Sequence, residues 1–322
     1  MKKLFALILA LVMSLSLFAC GSSKTKMRFV TGGESGTYYA FGSTIAQHAT
    51  NNAGIEVVGL VGNGSKSNVE ELDAGNAELA FCQSDVMAYA YNGTNLFENP
   101  IDCFSTVAAL YMEDVQIVTT DPSIKTVADL EGKNVSVGQA GSGVYFNAVD
   151  ILSAYGIGDL DADGKFTKIN ATYQSFGDSA DALKDGKIDA AFIVAGAPTT
   201  AIVDLSTTKP VSLVSLDDEH IDALLKSSPY YSKCTIKADV YGLESDTTTV
   251  AVGAVILARD DVPADAIKAL CADIFDNASS LVSSHAKYGE LNLEYASSIT
   301  SVPYHAGAVE YFAEHNITVA GK

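Results

Sequence analysis

Met27-Arg28-Phe29-Val30-Thr31-Gly32-Gly33-Glu34-Ser35-Gly36-Thr37-Tyr38-Tyr39 is the stretch on which the fold turns. It begins as a short apolar run of strand type, passes through glycines and small polar residues that make a turn, and enters a helical pattern that continues to Ala46. A strand that runs through a glycine-rich loop into a helix aims unpaired backbone N–H groups, and the positive end of a helix dipole, at one point. Tyr38 and Tyr39 stand beside that point and could cover a small ligand.

Outward from this junction the same grammar recurs. Apolar runs of strand length at 55–60, 79–82, 106–111, 115–119, 134–138, 190–194 and 250–258 alternate with helical patterns. The helices open on small polar residues and close on glycine, as 67–74 does at Gly75 and 145–155 at Gly156. This predicts an α/β chain with largely parallel sheets flanked by helices. Segments 29–85 and 135–195 each spell strand, glycine-rich turn, helix and buried strand, so two lobes of related design are expected. Residues 27–118 with 248–322 would form the first lobe and 119–247 the second. The extended stretches 115–121 and 247–258 would cross between them as hinges, and the helical residues 263–322 would pack back on the first lobe. Ligands of open α/β sheets bind beyond the carboxyl ends of the strands, which places a ligand cleft between the lobes.

The chain's first residues address where it works. Lys2 and Lys3 precede an apolar run at 4–18 that is too short for a membrane span, and Leu17-Phe18-Ala19-Cys20 ends it. Residues 1–19 therefore read as a lipoprotein signal peptide and Cys20 as the lipidated residue. Residues 20–26 would be a tether at the outer face of the cytoplasmic membrane. A hydrophobic content of 48% with 18% charged residues excludes a disordered chain. The net charge of −19 argues against nucleic acid as a partner. Cys82, Cys103, Cys234 and Cys271 have no CxxC spacing, so thiolate metal sites are not expected, and export leaves three disulfide pairings open.

Further junctions carry candidate ligand contacts. Gly62-Asn63-Gly64-Ser65-Lys66-Ser67-Asn68 follows a strand and starts a helix, but Ser65 breaks the spacing of a phosphate loop. Ser65 and Asn68 are better read as donors to a small polar ligand, with helix capping as the alternative, and Lys66 as a solvated residue or an anion partner. Gln83-Ser84-Asp85 lies at a strand end, where Asp85 could take a ligand ammonium or cap a helix. Gly138-Gln139-Ala140-Gly141-Ser142-Gly143-Val144-Tyr145 joins strand to helix in the second lobe without a dinucleotide fingerprint, and Ser142 and Gly143 would make an anion seat opposite Gly36 and Thr37. Arg28 and Arg259 are the chain's only arginines and neither lies in such a junction. Asp159, Asp161 and Asp163 open like a calcium loop, but Asn170 stands where a bidentate glutamate is needed, so an acidic turn is the default. The histidines show no paired spacing, and no nucleophile elbow occurs. Neither a cofactor nor catalysis is expected.

In order along the chain, Thr31-Gly32-Gly33, Gly36-Thr37-Tyr38-Tyr39, Gly64-Ser65 with Asn68, Gln83-Ser84-Asp85, Leu110-Tyr111 with Glu113, Asp129-Leu130-Glu131-Gly132-Lys133, Gly141-Ser142-Gly143, Asp185-Gly186, Gly196 with Pro198, and Pro303-Tyr304-His305-Ala306-Gly307-Ala308 resemble the TAXI-type solute receptors of tripartite ATP-independent periplasmic (TRAP) transporters. Ala306 stands where that family would place proline. The resemblance implies a two-lobe periplasmic-binding-protein fold, type II-like. It further implies a non-enzymatic receptor that closes on glutamate, glutamine or a related dicarboxylate and delivers it to a TRAP-type membrane permease. By motif it carries ligand contact onto Gly36, Thr37, Tyr38, Ser65, Asn68, Gln83, Ser142 and Gly143, with Tyr39, Tyr111, Tyr145 and Phe176 as cleft walls. A receptor for an ABC importer and an exported enzyme on the same scaffold are the alternatives, with Lys66 the one basic candidate for the latter.

Overall fold

The computed structural model describes residues 24–95 and 97–322. The expected signal peptide and its Cys20 lie outside the described residues. The chain begins β1 (Lys26–Val30), α1 (Thr37–Asn52), β2 (Glu56–Leu60), α2 (Ser65–Asp73), β3 (Leu79–Gln83) and α3 (Ser84–Asn92). It continues through β4 (Phe104–Thr119), β5 (Asn134–Ser136), α4 (Gly143–Ala154), β6 (Asn170–Thr172), α5 (Phe176–Lys184), β7 (Ala190–Ala195), α6 (Thr200–Ser206), β8 (Ser212–Leu213), α7 (Asp218–Ser227) and β9 (Ser232–Ile236). It ends with β10 (Thr247–Arg259), α8 (Ala264–Asp276), α9 (Ala278–Leu281), α10 (Leu293–Ala296) and α11 (Ala306–Glu314).

The strands run in the order β2-β1-β3-β10-β4-β7-β5-β6, with β8 on β4 and β9 on β10. Pairing is parallel within β2-β1-β3 and within β7-β5-β6. It is antiparallel where β4 and β10 meet their neighbours. These two long strands serve both halves of the molecule. β10 pairs β3 through 254–258 and β9 through 247–251, while β4 pairs β10 through 104–114 and gives 114–119 to β7. The chain thus has the expected two-lobe α/β fold, its two halves joined by a crossing antiparallel pair.

The runs at 106–111 and 115–119 read as two strands and are one. Met112-Glu113-Asp114 looks like a polar interruption, but Glu113 is buried and accepts a hydrogen bond from the Tyr38 hydroxyl, so the strand continues. The short strands β6, β8 and β9 have no apolar run to announce them. β3, by contrast, is buried at every position, as the near-continuous apolar run Leu-Ala-Phe-Cys suits a central strand covered on both faces.

Apolar layers cover both faces of the sheet in each half. In the first, Phe41 and Ile45 of α1, Leu270 and Ile274 of α8 and Phe312 of α11 pack on Phe29, Phe81 and Leu110. In the second, Val144, Ala148 and Ile151 of α4 pack on Val135 and Phe192. Each of these buried side chains larger than alanine contributes about 1.5–3 kcal/mol. What these layers fix is the direction of the helices: β1, β2 and β3 lead into α1, α2 and α3, and β5 and β6 lead into α4 and α5. Among the described residues no helix is long and apolar enough to cross a membrane.

Candidate functional site

The residues preceding five of these helices line one cleft, which with the open solvent at its mouth encloses about 660 Å³. Gly36 caps α1, Gly64 caps α2, Gln83 caps α3, Ser142 caps α4 and Ser175 caps α5. Only Ser175 satisfies its helix with a side chain, accepting from the Asp178 N–H; the other four caps make no side-chain bond. The first turns of five helices, and with them the positive ends of five helix dipoles, therefore face one space, each dipole worth about 0.3–1 kcal/mol to an exposed anion and more to a partly buried one.

The glycines let the two halves meet. Gly64 sits at φ +103°, a left-handed conformation that side chains rarely adopt, and a Cβ there would lie 2.9 Å from Ser142 Cα. A Cβ on Gly143 would lie 1.7 Å from Gln83 Oε1. Around these contacts Ser67 N donates to Gly141 O at 2.9 Å, Gln139 Nε2 to Asn63 Oδ1 at 2.8 Å and Thr37 Oγ1 to Gly196 O at 2.9 Å. The Phe176 ring comes within 3.4 Å of a Cβ placed on Gly36.

Inside the cleft, Tyr38 stacks on Phe81 and donates to Glu113 Oε2 at 2.5 Å. Burial pushes the Glu113 carboxyl well above the usual carboxylate range, against the opposing pull of the Tyr38 hydroxyl bond. Ser142 Oγ and Gln83 Oε1 are buried without hydrogen-bond partners. Ser65 Oγ is occupied, accepting from Gln83 N at 3.0 Å. Among the described residues that line the cleft there is no lysine, arginine or histidine, so any anion held there is held by dipoles and hydrogen bonds.

Gly36, Thr37, Tyr38, Ser65, Gln83, Ser142, Gly143 and Phe176 all line this space. The other candidates do not. Asn68 is wholly buried and donates to Thr31 O at 2.6 Å and Phe81 O at 2.8 Å, bracing the first loop against β3. Asp85 lies behind the cleft, where burial raises its carboxyl to about 7 while Val86 N and Asn147 Nδ2 bond to it. Lys66 pairs with Glu70 on its own helix and overlies Phe97. Tyr111 is buried against Phe41, beneath the Lys287 ammonium. Tyr145 packs edgewise on Phe166, and Tyr39 is half-buried outside the lining.

In the acidic turn the carboxylates are engaged by the turn itself and by a neighbouring lysine. Asp161 Oδ1 accepts from Asp163 N and Lys165 N, both at 2.9 Å, and Asp159 pairs with Lys168. Among the described residues no cluster of three or more metal-ligating side chains occurs. Cys82, Cys103, Cys234 and Cys271 are free thiols.

Ser35, Asn63, Glu113, Gln139, Gln174 and Ser175 also line the cleft and were not among the candidate contacts. Ser175 carried a readable signal, since Ser-x-x-Asp opens a helix after a strand. Glu113, which with Asp114 interrupts an otherwise apolar strand, carried another.

The family model described as the NMT1-like family matches residues 29–315. Among solved structures, MatC from Rhodopseudomonas palustris with bound malate superposes with a TM-score of 0.55 at 15% identity, over 83% of this chain and 90% of that one. A periplasmic transporter does so with a TM-score of 0.54 at 16% identity, over 92% and 95%. A protein of Bordetella bronchiseptica RB50 gives 0.51 at 17% identity, over 90% and 89%. At these identities the likeness is one of fold.

Proposed function

We propose that this chain, which belongs to the NMT1-like family, is an extracytoplasmic solute receptor of a TRAP transporter of TAXI type. It captures glutamate, glutamine or a related dicarboxylate by closing its lobes, and hands the solute to a membrane permease. The observation that carries this reading is the convergence of five helix N-termini, four of them with no side-chain bond from the capping residue, on one cleft. Such a site holds a carboxylate without a cation, and the two partnerless polar atoms within it, Ser142 Oγ and Gln83 Oε1, await an occupant. The motif order, rather than the cleft, supports the TAXI assignment over an ABC importer.

In this reading Gly36, Thr37, Tyr38, Ser65 and Gln83 hold the solute from the first lobe, residues 27–118 with 248–322. Ser142 and Gly143 hold it from the second, residues 119–247, and Phe176 covers it. Solute that bridges both lobes stabilises the closed form by contacts the open form lacks. Cys20 anchors the receptor beside its permease.

A thermal-shift screen against amino acids, dicarboxylates and small sugars tests the proposal, because a ligand of the folded state raises its melting temperature by mass action. A shift with glutamate, glutamine or a dicarboxylate is expected. A shift confined to neutral sugars would reject the acid-receptor reading.

A further inference from the structure

Asn147 of α4 is wholly buried, and every polar atom of its side chain is engaged. Its Nδ2 donates to Asp85 Oδ2 and to the Tyr231 hydroxyl, each at 2.9 Å. Its Oδ1 accepts from Gln83 Nε2 at 3.1 Å. Asp85 Oδ1 already accepts from Val86 N at 2.8 Å, and Tyr231 gives its own proton to Asp150 Oδ2 at 2.9 Å.

Each partner therefore dictates the next. An ionised carboxylate offers only acceptors, so Asn147 must turn its NH2 toward Asp85. Tyr231, its proton committed to Asp150, takes the second N–H. The Asn147 oxygen is left for Gln83, which answers with its own NH2. What remains of Gln83 is its oxygen, buried, without a partner, on a side chain that lines the cleft and rests against Gly143. Reversing the Gln83 amide would set two oxygens against each other and leave its NH2 without an acceptor.

We propose that Asn147, held by Asp85 and Tyr231, is a positioning residue that fixes the Gln83 amide with its oxygen available to the solute. The cleft then selects small acids that carry a hydrogen-bond donor, an ammonium above all, over acids of the same skeleton that lack one. Together with helix N-termini that take a carboxylate, this makes the preferred solute an α-amino acid rather than a plain dicarboxylate. The inference rests on the small-acid reading of the cleft.

The test is calorimetric titration at pH 8 with two probes that differ by one ammonium, L-glutamate and glutarate, on the wild type, Asp85→Asn, and the double variant Asp85→Asn with Gln83→Glu. Asp85→Asn keeps the Val86 bond on its oxygen and presents an NH2 to Asn147, which turns over, accepts the Tyr231 proton in place of Asp150, and turns Gln83 with it. Wild type is expected to prefer L-glutamate by at least about tenfold, the least that one hydrogen bond to a charged group implies. In Asp85→Asn that preference falls by about the same factor. In the double variant, whose side chain at 83 carries acceptors on both oxygens, it returns. A structural role for Asp85 would weaken both probes alike and leave the ratio unchanged; that result, or a ratio the double variant fails to restore, overturns the inference alone. Wild type binding both probes equally does the same, and wild type binding neither overturns the small-acid reading and the inference together. A second readout needs no ligand and no stable variant at 85: the Gln83 side-chain NH2 of the wild type should be protected from exchange in 15N spectra, and its rapid exchange would reject the relay.

Discussion

Ser142 carries a hydroxyl that is buried without a partner, an arrangement that costs stability unless a ligand supplies the missing bond. Ser142→Ala should therefore leave the melting temperature of the free protein unchanged or slightly raised while weakening solute binding by about three- to tenfold, one neutral hydrogen bond's worth. A melt and a titration on the same variant check both signs. Asp85 makes a different prediction. Its carboxyl, at about 7 when folded because of burial, sits near 3.9 in an unfolded chain, so the folded state holds the proton more tightly. The stability this provides is full below about pH 4 and is lost as pH rises through 7, on the order of 4 kcal/mol at most. Asp150, Tyr89, Tyr230 and Tyr231 face the same group from α4, α3 and the segment before β9, none of them a cation. Urea midpoints at pH 5 and pH 8 should show a larger fall for the wild type than for Asp85→Asn; equal falls would count against the buried ionisation.

At the scale of elements, the glycine before or at the start of a helix does two jobs, freeing the cap and letting the opposite lobe approach. Gly143→Ala adds a methyl group where Gln83 Oε1 already stands. Overpacking of this kind costs about 1–3 kcal/mol in the arrangement described, where the two halves already touch, so the melting temperature of the free protein should fall by a few degrees and solute affinity with it. An affinity unchanged in titration would mean that the lobes do not meet at this point when solute is bound. Such junctions were legible in the sequence because an apolar run followed by glycine and small polar residues spells strand, turn and helix. That legibility extended to Gly36, Ser65, Gln83, Ser142 and Gly143. It failed at Asn68, whose side chain projects inward and completes two backbone carbonyls, a choice made by the neighbouring strand and not by its own helix. It failed also at Gln139 and Asn63, which meet only because the two halves do, and at the middle of β4, where tertiary burial keeps the Glu113-Asp114 pair in strand conformation.

For the whole molecule, closure on a solute should shrink the radius of gyration seen by X-ray scattering, and identical profiles with and without saturating ligand would reject the two-form mechanism. Unfolding should be a single calorimetric transition despite the two lobes, because β4 and β10 contribute backbone hydrogen bonds to both and neither half can melt while the other keeps them. Two resolved transitions would contradict this. The same pair of strands sets a timetable for a chain that appears one residue at a time, whether from a ribosome or through a membrane pore. β10 lies between β3 and β4 in the sheet yet follows them by well over a hundred residues of sequence. Until residue 259 has emerged, β3 and β4 have no common neighbour and neither lobe has a complete sheet, so the growing chain has no finished domain to lock in place. A protein built this way stays threadable until four-fifths of it has been delivered.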